Sequence, residues 1–513
     1  MKISPLNIII ASLLLSAGTV LAQDVPDTQT LPRAFFAADM PEGATPHRQS
    51  VVFQPTTIDT AMLATLKPGD WVALNVAPTR TFAGLVAEIR HRGEGRFTIS
   101  GTLDGLEETT FVIAVQDEAV AGTFQSPTTA EHYKLKYTGV GGTHLVCQID
   151  PSKYGKCAGA IQPPPRPVGA AWLNPVDDQD EAVAALVPVP ADEDAGFDGR
   201  GSCPTPQTIF DGMVAYSDNV RVAMGGTNAV LAEIELTQTV TNEVYQRSGV
   251  AARYRVVWVG EVNYAQTNDG DTDLDQLADG SDGILDSLHT IRDNENADFV
   301  TLWLTNIGPD LCGIAYCTPS ASDAFNVVVW DCAADNFSHP HEIGHNQGCD
   351  HNDGDGTLGC GEFDYSLGYR FFGSDNRGYR TVMAYDNDNN TYTRIGYFST
   401  PNRSFMGRNV GTAGIDNTRS INNTRSQCEA FQFSRVEVYV DFGFAGLQYG
   451  TFANPYASFA SAVAVSRQPA SSALTDDEAT IFVKPGTGSY AGTITKRMWI
   501  RACAGTANIG GNP

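Results

Sequence analysis

The sequence predicts an α/β fold for its central part, residues 205–433, with a twisted, mostly parallel sheet. An antiparallel β unit at residues 23–160 and a short β-helix-like module at residues 434–513 flank it. Three observations lead there. Strand-like apolar runs alternate with helical periodicity in the centre, short alternating apolar runs separated by Gly and Asp precede it, and parallel-coil-like runs follow it. A length of 513 residues also fits three units, at about 100 to 200 residues per domain.

In the N-terminal unit, WVALNV, GRFTISGTLDGLEETTFVIAV and HYKLKYTG read as hairpin strands. Residues 161–204 are rich in Pro, Ala and acid and cannot bury enough apolar surface to order themselves, so they read as a linker. In the centre, IFDGMVAYS, RYRVVWVGEVNY and ADFVTLWL read as strands. TNAVLAEIELTQTVTNEVYQRSG and DGILDSLHTIRD read as the intervening helices, and SINNTRSQCEAF, residues 420–431, as a closing helix. The last 80 residues resemble the opening coils of a parallel solenoid, which needs about three or more neighbouring coils to bury a continuous core.

Charge and targeting narrow the function classes. Lys and Arg total 33 against 59 Asp and Glu, a net charge of -26, which disfavours a nucleic-acid backbone or an anionic membrane as partner. Residues 1–22 read as a secretory signal peptide: one Lys, an apolar stretch to about Leu15, and small residues near Ala22. No later segment offers about 18 uninterrupted apolar residues. The expectation is a secreted, extracellular or periplasmic monomer, in which ten cysteines serve as disulfides rather than thiolate ligands. A β unit between a signal peptide and a linker sits where a pro-segment would, with Arg200 as a processing point.

The chemistry is concentrated in HEIGHNQGCDH, residues 341–351. On a helix His341 and His345 share one face with Cβ atoms roughly 6 Å apart, so both imidazoles reach one ion. Gly348 lets the backbone turn through a conformation open mainly to glycine, bringing His351 to the same ion as third ligand. Three neutral imidazoles and an open fourth position suit a catalytic Zn²⁺, with Glu342 as general base. With 9 His and 50 Gly in the chain, the full pattern arises by chance in roughly one such chain in 10⁵.

HExxHxxGxxH is the hallmark of the metzincin peptidases, and TVMAYD supplies the methionine turn that is their second mark. By that resemblance the fold is an α+β metzincin-like catalytic domain. Met383 then packs beneath the ligands, and Tyr385 is a phenol near the metal that ligates or donates to the oxyanion. DGMVAYS, ADFVTLWL, CGIAYC, GYRTVMAYD and RIGYFSTPN extend the resemblance over residues 208–433, to the bacterial peptidyl-Asp metallopeptidase family. This implies protein or peptide substrates cut before aspartate. A buried P1′ carboxylate needs a paired cation, and Arg380 and Arg394, which flank the methionine turn, are the candidates. Asn352 departs from the Asp that reprolysin-like relatives carry after the third His.

Three weaker signals remain. Asp269, Asp271 and Asp273 alternate in the manner of a calcium loop, so Ca²⁺ is a second candidate cofactor. Cys147 and Cys157 read as a local disulfide or, alternatively, as the source of a thiolate that plugs the open zinc position before processing. Cys349 and Cys360 would brace the third ligand if paired. His351 at this spacing argues against a peptidase whose third ligand is a distant Glu. An extracellular adhesion protein working through its terminal β modules is the alternative from another class, whereas a polysaccharide lyase finds too few coils for a groove.

Overall fold

The computed structural model describes residues 25–159, 161–163, 207–353, 359–387, 389, 391–469, 479–503 and 505–510. The signal peptide, most of the linker and Arg200 lie outside the described residues.

The N-terminal unit is a nine-stranded antiparallel sheet. Its strands are β1 (Phe35–Ala37), β2 (Ser50–Ile58), β3 (Trp71–Ala77), β4 (Arg80–Gly93), β5 (Arg96–Leu103), β6 (Leu106–Gln116), β7 (Ala119–Ser126), β8 (Glu131–Tyr137) and β9 (Thr143–Ile149), with a single helical turn α1 (Thr60–Leu63) between β2 and β3. The spatial order is β1-β2-β9-β8-β7-β6-β5-β4-β3. Arg33 bridges Ala73 in β3, with Ala73 N–H donating to the Pro32 carbonyl at 2.8 Å, so the two sheet edges meet and the sheet curls into a barrel. The run FVIAV in β6 serves two cores. Phe111, Ile113 and Val115 fill the barrel, while Val112 and Ala114 face outward into the core of the central domain. Both faces are buried, which is why the run is continuously apolar.

The central sheet has the order β10-β14-β15-β13-β11-β12, with β10 (Lys156–Cys157), β11 (Thr208–Ser217), β12 (Ala252–Val262), β13 (Phe299–Leu304), β14 (Leu311–Ala315) and β15 (Phe325–Val329). The pairs β11 with β12, β11 with β13 and β13 with β15 are parallel, and β14 runs antiparallel to β15. β10, from the N-terminal unit, adds to the outer edge of β14 in parallel. Alternation along β11 separates the faces. Phe210, Val214 and Tyr216 join α2 (Asp218–Met224), α3 (Thr227–Ser248) and α6 (Ser338–Asn346), and Met213 and Ala215 join α4 (Gly270–Ala278) and α5 (Asp286–Glu295). The closing helix is α7 (Asn417–Glu429), capped by Asp416, whose carboxylate accepts from Arg419 N–H at 3.0 Å.

The segment read as a calcium loop is the start of α4. Asp269 is its N-cap, and Leu274, Leu277 and Ala278 bury its inner face. Asp273 spends one carboxylate oxygen on the Tyr264 hydroxyl at 2.6 Å and on Thr267. Among the described residues the three aspartates form no cluster with metal-ligand spacing.

Between the zinc-motif helix and α7 the chain is mostly loop, with short pairings β16 (Arg370–Phe372), β17 (Gly378–Arg380), β18 (Tyr392–Arg394), β19 (Ser404–Phe405) and β20 (Arg408–Asn409). The C-terminal part pairs β21 (Glu437–Val440), β22 (Thr480–Val483) and β24 (Trp499–Ala502) in parallel, and likewise β23 (Gly486–Gly488) with β25 (Ala507–Ile509). Helix α8 (Phe459–Val465) packs on β21.

A buried ion pair pins the first parallel register. Asp211 and Arg255 lie directly opposite on β11 and β12, and Arg255 Nε and Nη2 donate to the two carboxylate oxygens at 2.6 and 2.9 Å. Asp298 lies alongside, its carboxyl held well above the ordinary range by burial and then by the Asp211 charge. Arg255→Met should therefore destabilise the chain by about 3–5 kcal/mol, because it strands a buried carboxylate rather than deleting a neutral contact. Urea unfolding of an inactive variant background measures this, and a loss below about 1 kcal/mol would refute it.

Candidate active site and metal centre

Helix α6 starts at Ser338, with Phe337 in the left-handed region (φ 55°) as its N-cap. One turn separates His341 from His345. After it Gly348 takes φ +87°, Cys349 N–H donates back to the Gly344 carbonyl at 2.9 Å, and the chain reverses to carry His351 over the helix. A Cβ on Gly348 would also lie 2.7 Å from Glu362 Cβ. Asp350 holds the returning loop by accepting from the N–H groups of His351, Gly359 and Cys360 at 2.8, 3.0 and 3.3 Å.

The three Nε2 atoms form a triangle with edges of 3.1, 3.2 and 3.0 Å, all fully buried. Three nitrogens each about 2.0–2.1 Å from a tetrahedral ion stand about 3.3 Å apart, so the triangle fits Zn²⁺. His341 Nδ1 donates to the Val382 carbonyl at 2.8 Å and His345 Nδ1 to the Cys349 carbonyl at 2.9 Å, which leaves each Nε2 lone pair for the ion. Burial, then the charge of Arg394 and the two neighbouring imidazoles, holds His341 well below its ordinary pKa, hence neutral.

Two close approaches set the helix in place. A Cβ on Gly344 would meet Met383 Sδ at 2.8 Å, so the sulfur packs against the helix between the ligands. On the opposite side a Cβ on Gly313 of β14 would meet Glu342 Oε1 at 2.3 Å, so the edge strand accepts the carboxylate only because it has no side chain there. Gly313 was not singled out in the sequence; its position in CGIAYC ahead of the histidine motif is the only signal. Neither Glu342 oxygen has a hydrogen-bond partner of standard geometry, and burial pushes its pKa up to about 8 against the opposing effects of the Cys157 thiol beside it and Arg394. A buried, unsatisfied carboxylate beside an ion-sized histidine triangle has the donor chemistry that a metal and its water would complete.

Tyr385 stacks over the site, its ring 4.0 Å from that of His351. Its hydroxyl donates to the carbonyls of Cys157 and Ala158 at 2.6 and 2.9 Å, and its backbone N–H donates to Asn352 Oδ1 at 2.7 Å. Asn352 thus anchors the tyrosine's backbone, a role the sequence did not disclose.

The two arginines separate. Arg394 donates to the Val382 carbonyl from Nε at 3.0 Å and to the Asn336 carbonyl at 2.7 Å, with Nη2 crowding His341 Nδ1 at 2.6 Å. It ties the methionine turn to the approach of α6 and is spent on that task. Arg380 donates only to the carbonyls of Ala384 and Tyr392, at 2.8 and 3.3 Å, and no carboxylate among the described residues lies in ion-pair range. Burial, then Arg394, pushes its pKa down to about 9.

The cysteines correct two expectations. Cys360 is bonded to Cys317, and Cys312 to Cys332, so Cys349 and Cys360 do not pair. The bend at Gly348 turns Cys349 inward, where its free thiol faces the Asn417 carbonyl. Cys147 and Cys157 are also free, so they form no local disulfide. Cys157 lies instead with His341 and Glu342 in a group whose ligand atoms fall within 4.8 Å of one another.

Comparison with known proteins agrees with this geometry. Residues 205–417 match the family model described as metallo-peptidase family M12B, reprolysin-like. A protein named peptidyl-Asp metalloendopeptidase from Stenotrophomonas maltophilia is 34% identical over 47% of this chain and 57% of its own length. The chain thus spans little more than half of that relative. One of the same name from Xanthomonas campestris pv. campestris is 28% identical over 81% of this chain and 96% of its own length. The structure of metalloproteinase-II from Bacteroides fragilis aligns at TM-score 0.34 and 9% identity over 58% of this chain and 86% of that one, a likeness too slight to bear on the fold. With the histidine triangle, the family match identifies residues 205–417 as a metallopeptidase domain of the reprolysin-like M12B family.

Proposed function

We propose that this chain is a secreted, zinc-dependent endopeptidase that cuts before aspartate and is made as a latent precursor. The observation that carries the reading is the ion-sized triangle of His341, His345 and His351 beside the unsatisfied carboxylate of Glu342. His341, His345 and His351 would hold a zinc ion, which would supply Lewis acidity to a substrate carbonyl and lower the pKa of a bound water to about 7.

The chain's own groups do the rest. Glu342, held dry against Gly313, takes the proton of the attacking water and delivers it to the leaving amine. Tyr385, whose hydroxyl already donates to peptide carbonyls in the cleft, is placed to donate to a substrate carbonyl oxygen as charge develops on it. The β14 edge offers a substrate backbone unpaired main-chain groups once β10 is gone. Arg380, half-buried and lacking a carboxylate partner, suits the carboxylate of an aspartate at P1′ better than Arg394 does.

Latency rests on β10. The N-terminal unit lays Lys156 and Cys157 along β14, Tyr385 grips two of its carbonyls, and the Cys157 sulfur lies among the groups of the site. A soft sulfur at this position is suited to the fourth coordination position of zinc.

Four outcomes follow. Digestion of a denatured protein by the processed form should give cuts before Asp that vanish with a zinc chelator, and Glu342→Gln should lower kcat by about 10²–10⁴-fold with zinc content unchanged. Full activity of Glu342→Gln would refute its assignment as base. Arg380→Met should lower kcat/KM for Asp-containing peptides relative to Ala analogues by roughly 10²-fold, whereas an unchanged ratio moves the pocket elsewhere. In the unprocessed chain Cys157→Ser should raise peptide hydrolysis above the parent, and equal rates in the two chains would discard the thiol as plug.

A further inference from the structure

The inhibitory strand is carried by the barrel, not by the linker. Only six residues separate the end of β9 at Ile149 from β10 at Lys156, and three of them form a 3₁₀ turn, Pro151–Lys153. The ring of Tyr154, in the same connection, packs 6.2 Å from that of His47 and 6.3 Å from that of His132, both in the N-terminal unit. A cut anywhere in the linker after Gln162 therefore leaves β10 joined to the barrel.

The barrel is itself docked on the peptidase domain by a largely buried, charge-complementary seam whose Arg48 lies at its exposed rim. In its ion pairs among the described residues the cation comes from the barrel and the anion from the peptidase domain. Lys134, fully buried, meets Glu233 of α3 at 2.5 Å and Asp335 at 2.7 Å. Arg92 meets Glu235 of α3 at 2.6 Å, both side chains 4% exposed. Arg48 meets Asp331 at 2.6 Å, and His132 adds a contact to Asp335. Around these pairs Val112, Ala114, Ala119 and Ala121 share one continuous core with α3. The turns at Gly139 and Gly225 touch backbone to backbone, such that a Cβ on either would meet the other's Cα at 2.9 or 2.7 Å. Apolar burial supplies affinity and the desolvated pairs supply register and slow departure, the anatomy of a lasting protein–protein interface.

We infer that linker cleavage alone does not open the site: the severed barrel remains bound as a separate inhibitory chain with β10 in the cleft, and its own removal or destruction is the activating step. This rests on the reading of the N-terminal unit as a pro-segment.

The test uses the full chain with an engineered protease recognition sequence in the linker. After complete cutting, the two fragments should co-elute on size exclusion, and peptide hydrolysis should stay at the level of the uncut chain until the barrel is digested away. In the cut Lys134→Met chain the barrel should bind about 10²–10³-fold more weakly, with activity appearing on dilution. If that variant does not fold, Arg92→Ala tests the same seam. Fragments that separate on cutting with immediate activity overturn the inference, and retention unchanged in both variants overturns the charged seam as its lock. Failure of the peptidase reading looks different: no zinc-dependent hydrolysis appears even when the barrel has been digested.

Discussion

The site depends on how closely one helix is clamped. α6 lies between the sulfur of Met383 and the edge strand β14, and both contacts exist only because Gly344 and Gly313 present no side chain. That approach brings Glu342 against the strand and the three imidazoles to a common point. A methyl group at either glycine would force the Met383 sulfur or the Glu342 carboxylate out of its present place beside the imidazoles. The helix is held as much by absence of bulk as by attraction.

Several buried charges among the described residues are paired, whereas two groups near this clamp are not. Asp211 has Arg255, and Glu233 and Asp335 share Lys134. At the site Glu342 has no partner of standard geometry and Arg380 has only carbonyls. A buried carboxyl without a partner of standard geometry and a half-buried guanidinium bonded to carbonyls are costly to keep in a folded core.

The histidine cluster was legible in the sequence because its spacing is local: one helical turn and one glycine bend bring the three imidazoles together. The strands and long helices were equally legible, since β11, β13 and α3 carry strong periodicity. Long-range features were not. The closure of the barrel depends on Arg33 meeting Ala73, and the pairing of Cys360 with Cys317 depends on where a loop returns, neither of which spacing encodes. α4 was hidden by its aspartates, which suggested a loop although Leu274 and Leu277 already carried a helical stripe. Arg380 and Arg394 are equivalent in the sequence, and only the tertiary carbonyls around them decide which is occupied. Cys157 offered two readings, and the run of β10 along β14 removes the disulfide.

Two disulfides joining described residues gather at one place. One bond joins Cys312 in β14 to Cys332, and the other joins Cys317, just past that strand, to Cys360 in the loop that follows His351. A thiol reductant would therefore slacken the cleft wall and the loop after the third imidazole together, and with them the Cys332 end of the barrel seam, where Arg48 Nη2 lies 3.6 Å from the Cys332 sulfur. Bracing of the cleft is thereby coupled to oxidising surroundings: under reducing conditions the chain would lack the bonds that hold the edge strand and the loop after His351.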